Sequence, residues 1–206
     1  MITMADDQMP NETPFRISLL VVIILAMSIG AYHRLQAASS GEKISHKEEG
    51  YAFAIVLRLA GVFLWISTFG YLVLPAGFQW ASLPLPIWLR WLGVAAGIFC
   101  TLLFYWTLSS LGKNLTDTVV TRAAATLVTH GPYRWVRHPF YVTAALLMAS
   151  VTLLSANWFI GVSSLLVLSL LAIRTPKEEQ MLIAKFGDEY RDYMAKTGRF
   201  IPRMRR

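Results

Sequence analysis

Residues 126–141 read Thr126-Leu127-Val128-Thr129-His130-Gly131-Pro132-Tyr133-Arg134-Trp135-Val136-Arg137-His138-Pro139-Phe140-Tyr141, a polar, aromatic and basic stretch between two strongly apolar regions. Glycine tolerates positive φ, and proline fixes its own φ and lacks an N–H, so Gly131-Pro132 predicts a turn. Pro139 biases His138 towards extended backbone and suits the first turn of a following helix, where its missing donor costs nothing. The stretch therefore predicts a loop presenting Tyr133, Arg134, Arg137, His138 and Tyr141 at the mouth of an apolar helix. Taken alone, it reads as well as a juxtamembrane loop of basic anchors and interfacial aromatics.

The apolar regions on either side set the fold class. The 206 residues are 55% hydrophobic and 15% charged, too apolar for an ordinary soluble domain. Apolar runs at about 15–34, 51–74 and 87–108 approach or exceed the ~20 residues that cross a ~30 Å hydrocarbon core. Two shorter runs, 140–155 and 157–173, flank Ser155-Ala156-Asn157 and form either a tilted hairpin or one long broken helix. Lys and Arg number three in residues 34–50, four in 109–139 and nine in 174–206, and none in 75–86 or 155–157. By the positive-inside rule this favours the hairpin and gives about five transmembrane helices, N-terminus outside, with the 109–139 loop and the tail in the cytoplasm. The expected fold is an all-α integral membrane protein, one domain over 1–206. Three spans fill 1–108, and 109–206 holds a helical hairpin (140–173) and a C-terminal amphipathic helix.

The net charge of +7 resides mostly in loops and tail, a pattern that orients a membrane protein and attracts anionic lipid rather than nucleic acid. Residues 1–14 carry three acids and no basic start, so the first span is expected to be a retained anchor rather than a signal peptide. The lone Cys100 allows neither an intramolecular disulfide nor a CxxC-type metal cage, and no metal site is expected. Gly93 and Gly97, one turn apart, predict a close helix contact. Arg58 lies well inside its apolar run, where it either snorkels or meets a partner in the bundle.

A second polar cluster, Arg174-Thr175-Pro176-Lys177-Glu178-Glu179, follows the last apolar run. It opens a segment in which Met181, Leu182, Phe186, Tyr190, Tyr193 and Met194 recur near helical spacing. That helix is expected from Glu178 onward, lying along the membrane or packing over the 126–141 loop, with Arg203, Arg205 and Arg206 as a basic end facing lipid. Charge counting puts both clusters on one face. If they meet, carboxylates, an arginine, a His-Pro turn and several tyrosines share one pocket at the water–lipid boundary. Carboxylates bind an ammonium, backbone N–H groups a carboxylate, and aromatic faces an adenine or a cation, a set that suits S-adenosylmethionine. With no G-x-G-x-x-G after a strand, a Rossmann-type methyltransferase is excluded.

The two clusters resemble the isoprenylcysteine carboxyl methyltransferase family and its relatives, the membrane phospholipid methyltransferases, over roughly residues 110–202. The matching residues are Thr126–Thr129, Gly131, Tyr133, Arg137-His138-Pro139, Tyr141, Arg174, Glu178-Glu179, Phe186-Gly187 and Glu189-Tyr190. The resemblance implies that Thr126, Leu127, Val128, Tyr133, His138, Pro139, Phe140, Tyr141 and Glu178 contact S-adenosylmethionine. It also implies that Arg174 binds the carboxylate of a lipophilic or prenylated acceptor. An amine acceptor would need a base, for which Glu179 is the candidate. Ala125 departs from the histidine usual in eukaryotic members, and residues 114–124 do not align cleanly with them. The leading expectation is methyl transfer to a lipophilic carboxylate entering from the bilayer. The alternatives are a phospholipid or amine N-methyltransferase, a sterol-type reductase using NADPH, and a non-enzymatic membrane protein.

Overall fold

The computed structural model describes residues 11–38, 51–114 and 126–203. Ala125, most of the 114–124 stretch, His46 and the basic residues Arg205 and Arg206 lie outside them. Among the described residues the chain is helical, with no strand. Its main helices are α1 (Thr13–Ala38), α2 (Tyr51–Val73), α3 (Ile87–Leu111), α4 (Pro139–Ser155), α5 (Trp158–Phe186) and α6 (Asp188–Lys196). The helices α1, α2, α3 and α5 are long and apolar enough to cross a membrane, while α4 has 17 residues and falls short of that length. At 1.5 Å per residue it reaches about 25 Å. Large side chains on the outer faces, such as Leu59, Ile66, Phe99 and Leu102, are more than half exposed. A continuous apolar exterior of this kind is matched by lipid. The protein is an all-α integral membrane protein that crosses the bilayer several times.

The turn between α4 and α5 decides the hairpin. Ala156 adopts left-handed backbone (φ 46°), and Asn157 caps α5 by accepting from the Ile160 N–H at 3.1 Å. The α2–α3 connection meets that turn. Ser82 and Asn157 form an isolated antiparallel bridge, and the Leu83 N–H donates to the Ala156 carbonyl at 2.6 Å. The two charge-free connections therefore share one end of the bundle, and the two polar clusters share the other.

The core lies towards the charge-free end, where Phe15, Leu19, Ile23, Tyr71, Val94, Leu154 and Ile160 pack together. Gly93 and Gly97 make the expected close approach. A Cβ built on Gly93 would lie 2.7 Å from the backbone nitrogen of Leu154, and one on Gly97 would lie 3.2 Å from Ser150 Oγ and Val22 Cγ2. Gly93→Ala must push α4 off α3, and overpacking of this kind costs about 1–3 kcal/mol. The melting temperature in detergent is expected to fall for Gly93→Ala and to hold for Gly61→Ala, where the added methyl meets open space.

An ion cluster that the sequence reading overlooked closes the same end. Arg90, only 2% exposed, reaches both carboxylate oxygens of Glu12 at 2.6 and 2.7 Å and donates from Nε to the Leu154 carbonyl at 3.1 Å. Its guanidinium sits 3.8 Å over the Phe15 ring, and the Tyr71 hydroxyl also donates to Glu12. A buried cation paired in this geometry ties the start of α1 to α2, α3 and α4.

One expected boundary is corrected. Instead of ending near Ile173 and restarting at Glu178, α5 runs unbroken through Pro176 to Phe186. Proline removes only its own donor from the ladder, and the helix continues to Gly187, where φ of 58° ends it. Arg174, Glu178 and Leu182, spaced four apart, consequently lie on one face of a rigid helix projecting beyond the apolar run.

Candidate active site

The loop that opens the sequence folds as expected around Gly131, whose φ is +59° and whose missing Cβ leaves room for Ser110 Oγ, 2.2 Å from where that atom would be. A short 3-10 turn spans Gly131–Arg134, and His138, at φ −120° and ψ 58°, stays outside the helix that Pro139 begins. Upstream, the Asn114 side chain donates to the Thr126 carbonyl and accepts from its N–H, at 3.2 and 3.3 Å. That pair holds Thr126–Val128 beside the end of α3.

The C-terminal segment packs over this loop, as one of the two sequence expectations had it. The Arg137 N–H donates to the Gly198 carbonyl (2.9 Å), the His138 N–H to the Arg199 carbonyl (3.1 Å) and the Tyr193 hydroxyl to the Tyr133 carbonyl (2.5 Å). Arg137 adds bonds from Nη1 to the Met194 and Thr197 carbonyls. Gly198 is required by this closure, since a Cβ there would collide with the Ile201 carbonyl.

Glu179 is the hub of the closure. Only 3% exposed, it accepts from Arg137 Nε at 2.9 Å, from Arg199 Nη2, and faces His138 Nε2 at 3.3 Å. Burial pushes its carboxyl up, but hydrogen bonds from His138, Arg199 and Arg137 outweigh that and pull it down to about 2. Glu178, one residue earlier, faces the other way. It accepts from the Tyr141 hydroxyl at 2.5 Å, and His138 Nδ1 lies 3.8 Å from it. The His138 and Tyr141 rings stack at 5.5 Å with 6° between planes. Two adjacent glutamates thus take opposite parts: one locks loop to tail, and the other is offered to open space.

That space is a cavity of about 760 Å³. Thr126, Leu127, Val128, Tyr133, His138, Phe140, Tyr141, Arg174 and Glu178 all line it. Pro139 and Glu179 are not in its wall: Pro139 serves the helix start, and Glu179 is turned into its ion pairs. Glu179, read as the base for an amine acceptor, is turned away from the cavity into its ion pairs with Arg137 and Arg199. Arg134 is exposed in the loop before α4, outside the cavity wall, and stacks over Trp135 with its guanidinium 4.0 Å from the ring. Sequence reading assigned no site residues to α1 and α2, yet Met27, Gly30, Arg34, Leu64 and Thr68 complete the wall. Apolar side chains along a span carry no signal that separates lipid-facing from cavity-facing positions. Tyr190, read as one of the apolar positions of the tail helix, also lines the cavity.

The chain is similar to known proteins over this same region. A model of the isoprenylcysteine carboxyl methyltransferase (ICMT) family matches residues 91–184. The human protein-S-isoprenylcysteine O-methyltransferase is 32% identical over 126 residues, which is 60% of this chain and 44% of the human protein. The chain therefore spans under half of that relative's length. The Dictyostelium discoideum protein of the same name is 24% identical over 181 residues, 83% of this chain and 68% of its own. Among solved structures, a eukaryotic intramembrane Ras methyltransferase ICMT aligns with a TM-score of 0.53 at 24% identity, covering 90% of this chain and 67% of that one. That likeness establishes a shared membrane fold.

Proposed function

We propose that this chain, whose residues 91–184 belong to the isoprenylcysteine carboxyl methyltransferase family, is an S-adenosylmethionine-dependent methyltransferase acting on a lipophilic carboxylate. One observation carries the reading: a single cavity joins a charged end, with Glu178, Arg174, His138 and Tyr141, to an apolar slot between spans, with Val22, Leu64, Met148 and Val151. Such a slot suits a lipophilic tail, whereas a transporter places its polar groups near the bilayer midplane.

The residues fit the cofactor. Glu178 offers a carboxylate for an ammonium, and Tyr133, Phe140 and Tyr141 offer aromatic faces for an adenine and a sulfonium. Tyr190 adds a buried hydroxyl with no hydrogen-bond partner among the described residues. When bound, S-adenosylmethionine supplies an electrophilic methyl group on a cationic sulfur. Arg174, one helical turn before Glu178 on the same face, would hold the acceptor's carboxylate in its ionised, nucleophilic form. No base is then required, and the protein contributes orientation and exclusion of water. The apolar slot admits the acceptor's tail laterally from lipid. By the positive-inside rule the site faces the cytoplasm and the N-terminus the opposite side.

Calorimetric titration of S-adenosylhomocysteine, the demethylated product, into purified protein tests the reading. Saturable binding is expected, and Glu178→Ala weakens it about 10- to 100-fold, the worth of one hydrogen bond to a charged group. Well-folded protein that instead bound NADPH would transfer the assignment to a reductase.

A further inference from the structure

Among the described residues the Tyr190 hydroxyl lacks a partner, within a site otherwise rich in hydrogen bonds. Tyr190 is 1% exposed, its oxygen has no hydrogen-bond partner among the described residues, and the residue lines the cavity. The hydroxyls of Tyr141 and Tyr193 are both committed: Tyr193 donates to the Tyr133 backbone carbonyl and Tyr141 to Glu178. Burying a hydroxyl without a partner is destabilising, and phenylalanine would fill the same volume without that cost. On a cavity wall such a group is a donor that a ligand can satisfy. The Glu178 and Glu179 charges act on Tyr190 and, after burial, help hold its phenol in the protonated, donating form.

We propose that Tyr190 is a cofactor-contacting residue whose hydroxyl donates a hydrogen bond to the carboxylate of the cofactor's amino-acid end. The assignment rests on the methyltransferase reading above. It follows from charge: Glu178 takes the ammonium of that end and repels its carboxylate, so the carboxylate needs a donor; with Arg174 given to the acceptor, the Tyr190 phenol is a buried hydroxyl on the same wall, unspent among the described residues. Tyr190 and Glu178 would thus read the two halves of one zwitterion.

The test is calorimetric binding to intact wild-type and Tyr190→Phe protein, with two probes. S-adenosylhomocysteine carries the amino-acid end, and 5′-methylthioadenosine lacks it. For S-adenosylhomocysteine, Tyr190→Phe is expected to weaken binding about 10- to 100-fold, as for a lost hydrogen bond to a charged group. For 5′-methylthioadenosine no change is expected, and the melting temperature of the ligand-free variant should be unchanged or higher. Equal losses for both probes would move the contact to the nucleoside and overturn the assignment. Unchanged binding of both, or a variant that melts well below wild type without ligand, would overturn it too. Wild-type protein that binds neither probe overturns the methyltransferase reading itself, an outcome distinct from wild-type binding that Tyr190→Phe leaves intact.

Discussion

Glu179→Ala is expected to cost about 3–5 kcal/mol of stability, the penalty for stripping a buried ion pair of one partner. The reason lies in what is left behind. Arg137 has a side chain only 9% exposed, and without Glu179 its charge stays buried against backbone carbonyls alone. Arg199→Ala removes a side chain that is 43% exposed and leaves Glu179 paired with Arg137, so its cost is smaller. Thermal melting in one detergent ranks the variants. An Arg199→Ala protein that melts lower than Glu179→Ala would show that the hub is misplaced. The same carboxylate sets an acid limit. Its folded value, about 2, lies below the ordinary 4.5, so its contribution is complete above about 4.5 and is lost as pH falls towards 2. Hydrogen exchange at the Arg137 and His138 amides, which donate to the tail, is expected to accelerate beyond its normal pH trend across that window and to stay on trend between pH 5 and 7.

How much of this was legible in the sequence follows from the physics of each signal. Gly131-Pro132 and His138-Pro139 dictated backbone outright, and the loop and the α4 start lie where those residues put them. Charge distribution separated the two ends of the bundle correctly because insertion itself counts charges. The break expected between Ile173 and Glu178 followed the change from apolar to polar residues, and α5 runs on through it because a change in hydropathy does not by itself end a helix. The glutamate pair was read as two roles, Glu178 on the cofactor and Glu179 as a base for an amine, but the contact of Glu179 with loop and tail was not legible. Adjacent residues on a helix point about 100° apart, so one had to face the tail and the other the cavity. Which was which depended on Arg137 and Arg199, which lie 42 residues before and 20 after Glu179. Arg90 was missed for a related reason: an arginine near the start of a span looks like an interfacial anchor until a carboxylate 78 residues away is placed against it.

Arg174→Ala is expected to reduce kcat/KM for a lipophilic carboxylate by about two to three orders of magnitude, with cofactor affinity nearly unchanged. The size follows from truncating one member of a hydrogen-bonded charge pair in a water-poor site, about 2–5 kcal/mol. The selectivity follows from position. Arg174 and Glu178 share the cavity wall, but Glu178 already holds the Tyr141 hydroxyl and suits a cation, whereas Arg174 suits only an anion. Arg174→Lys keeps the charge but loses the bidentate fork, so its rate should fall between wild type and Arg174→Ala. The pair of variants also separates acceptor chemistries. An amine must lose its proton before it attacks, and a neighbouring guanidinium neither accepts that proton nor binds the neutral amine. Removing Arg174 would then leave the rate unchanged or raise it. Methyl transfer assayed with matched long-chain carboxylate and amine acceptors therefore decides between them, and a rate to the carboxylate that survives Arg174→Ala would sink the carboxylate reading.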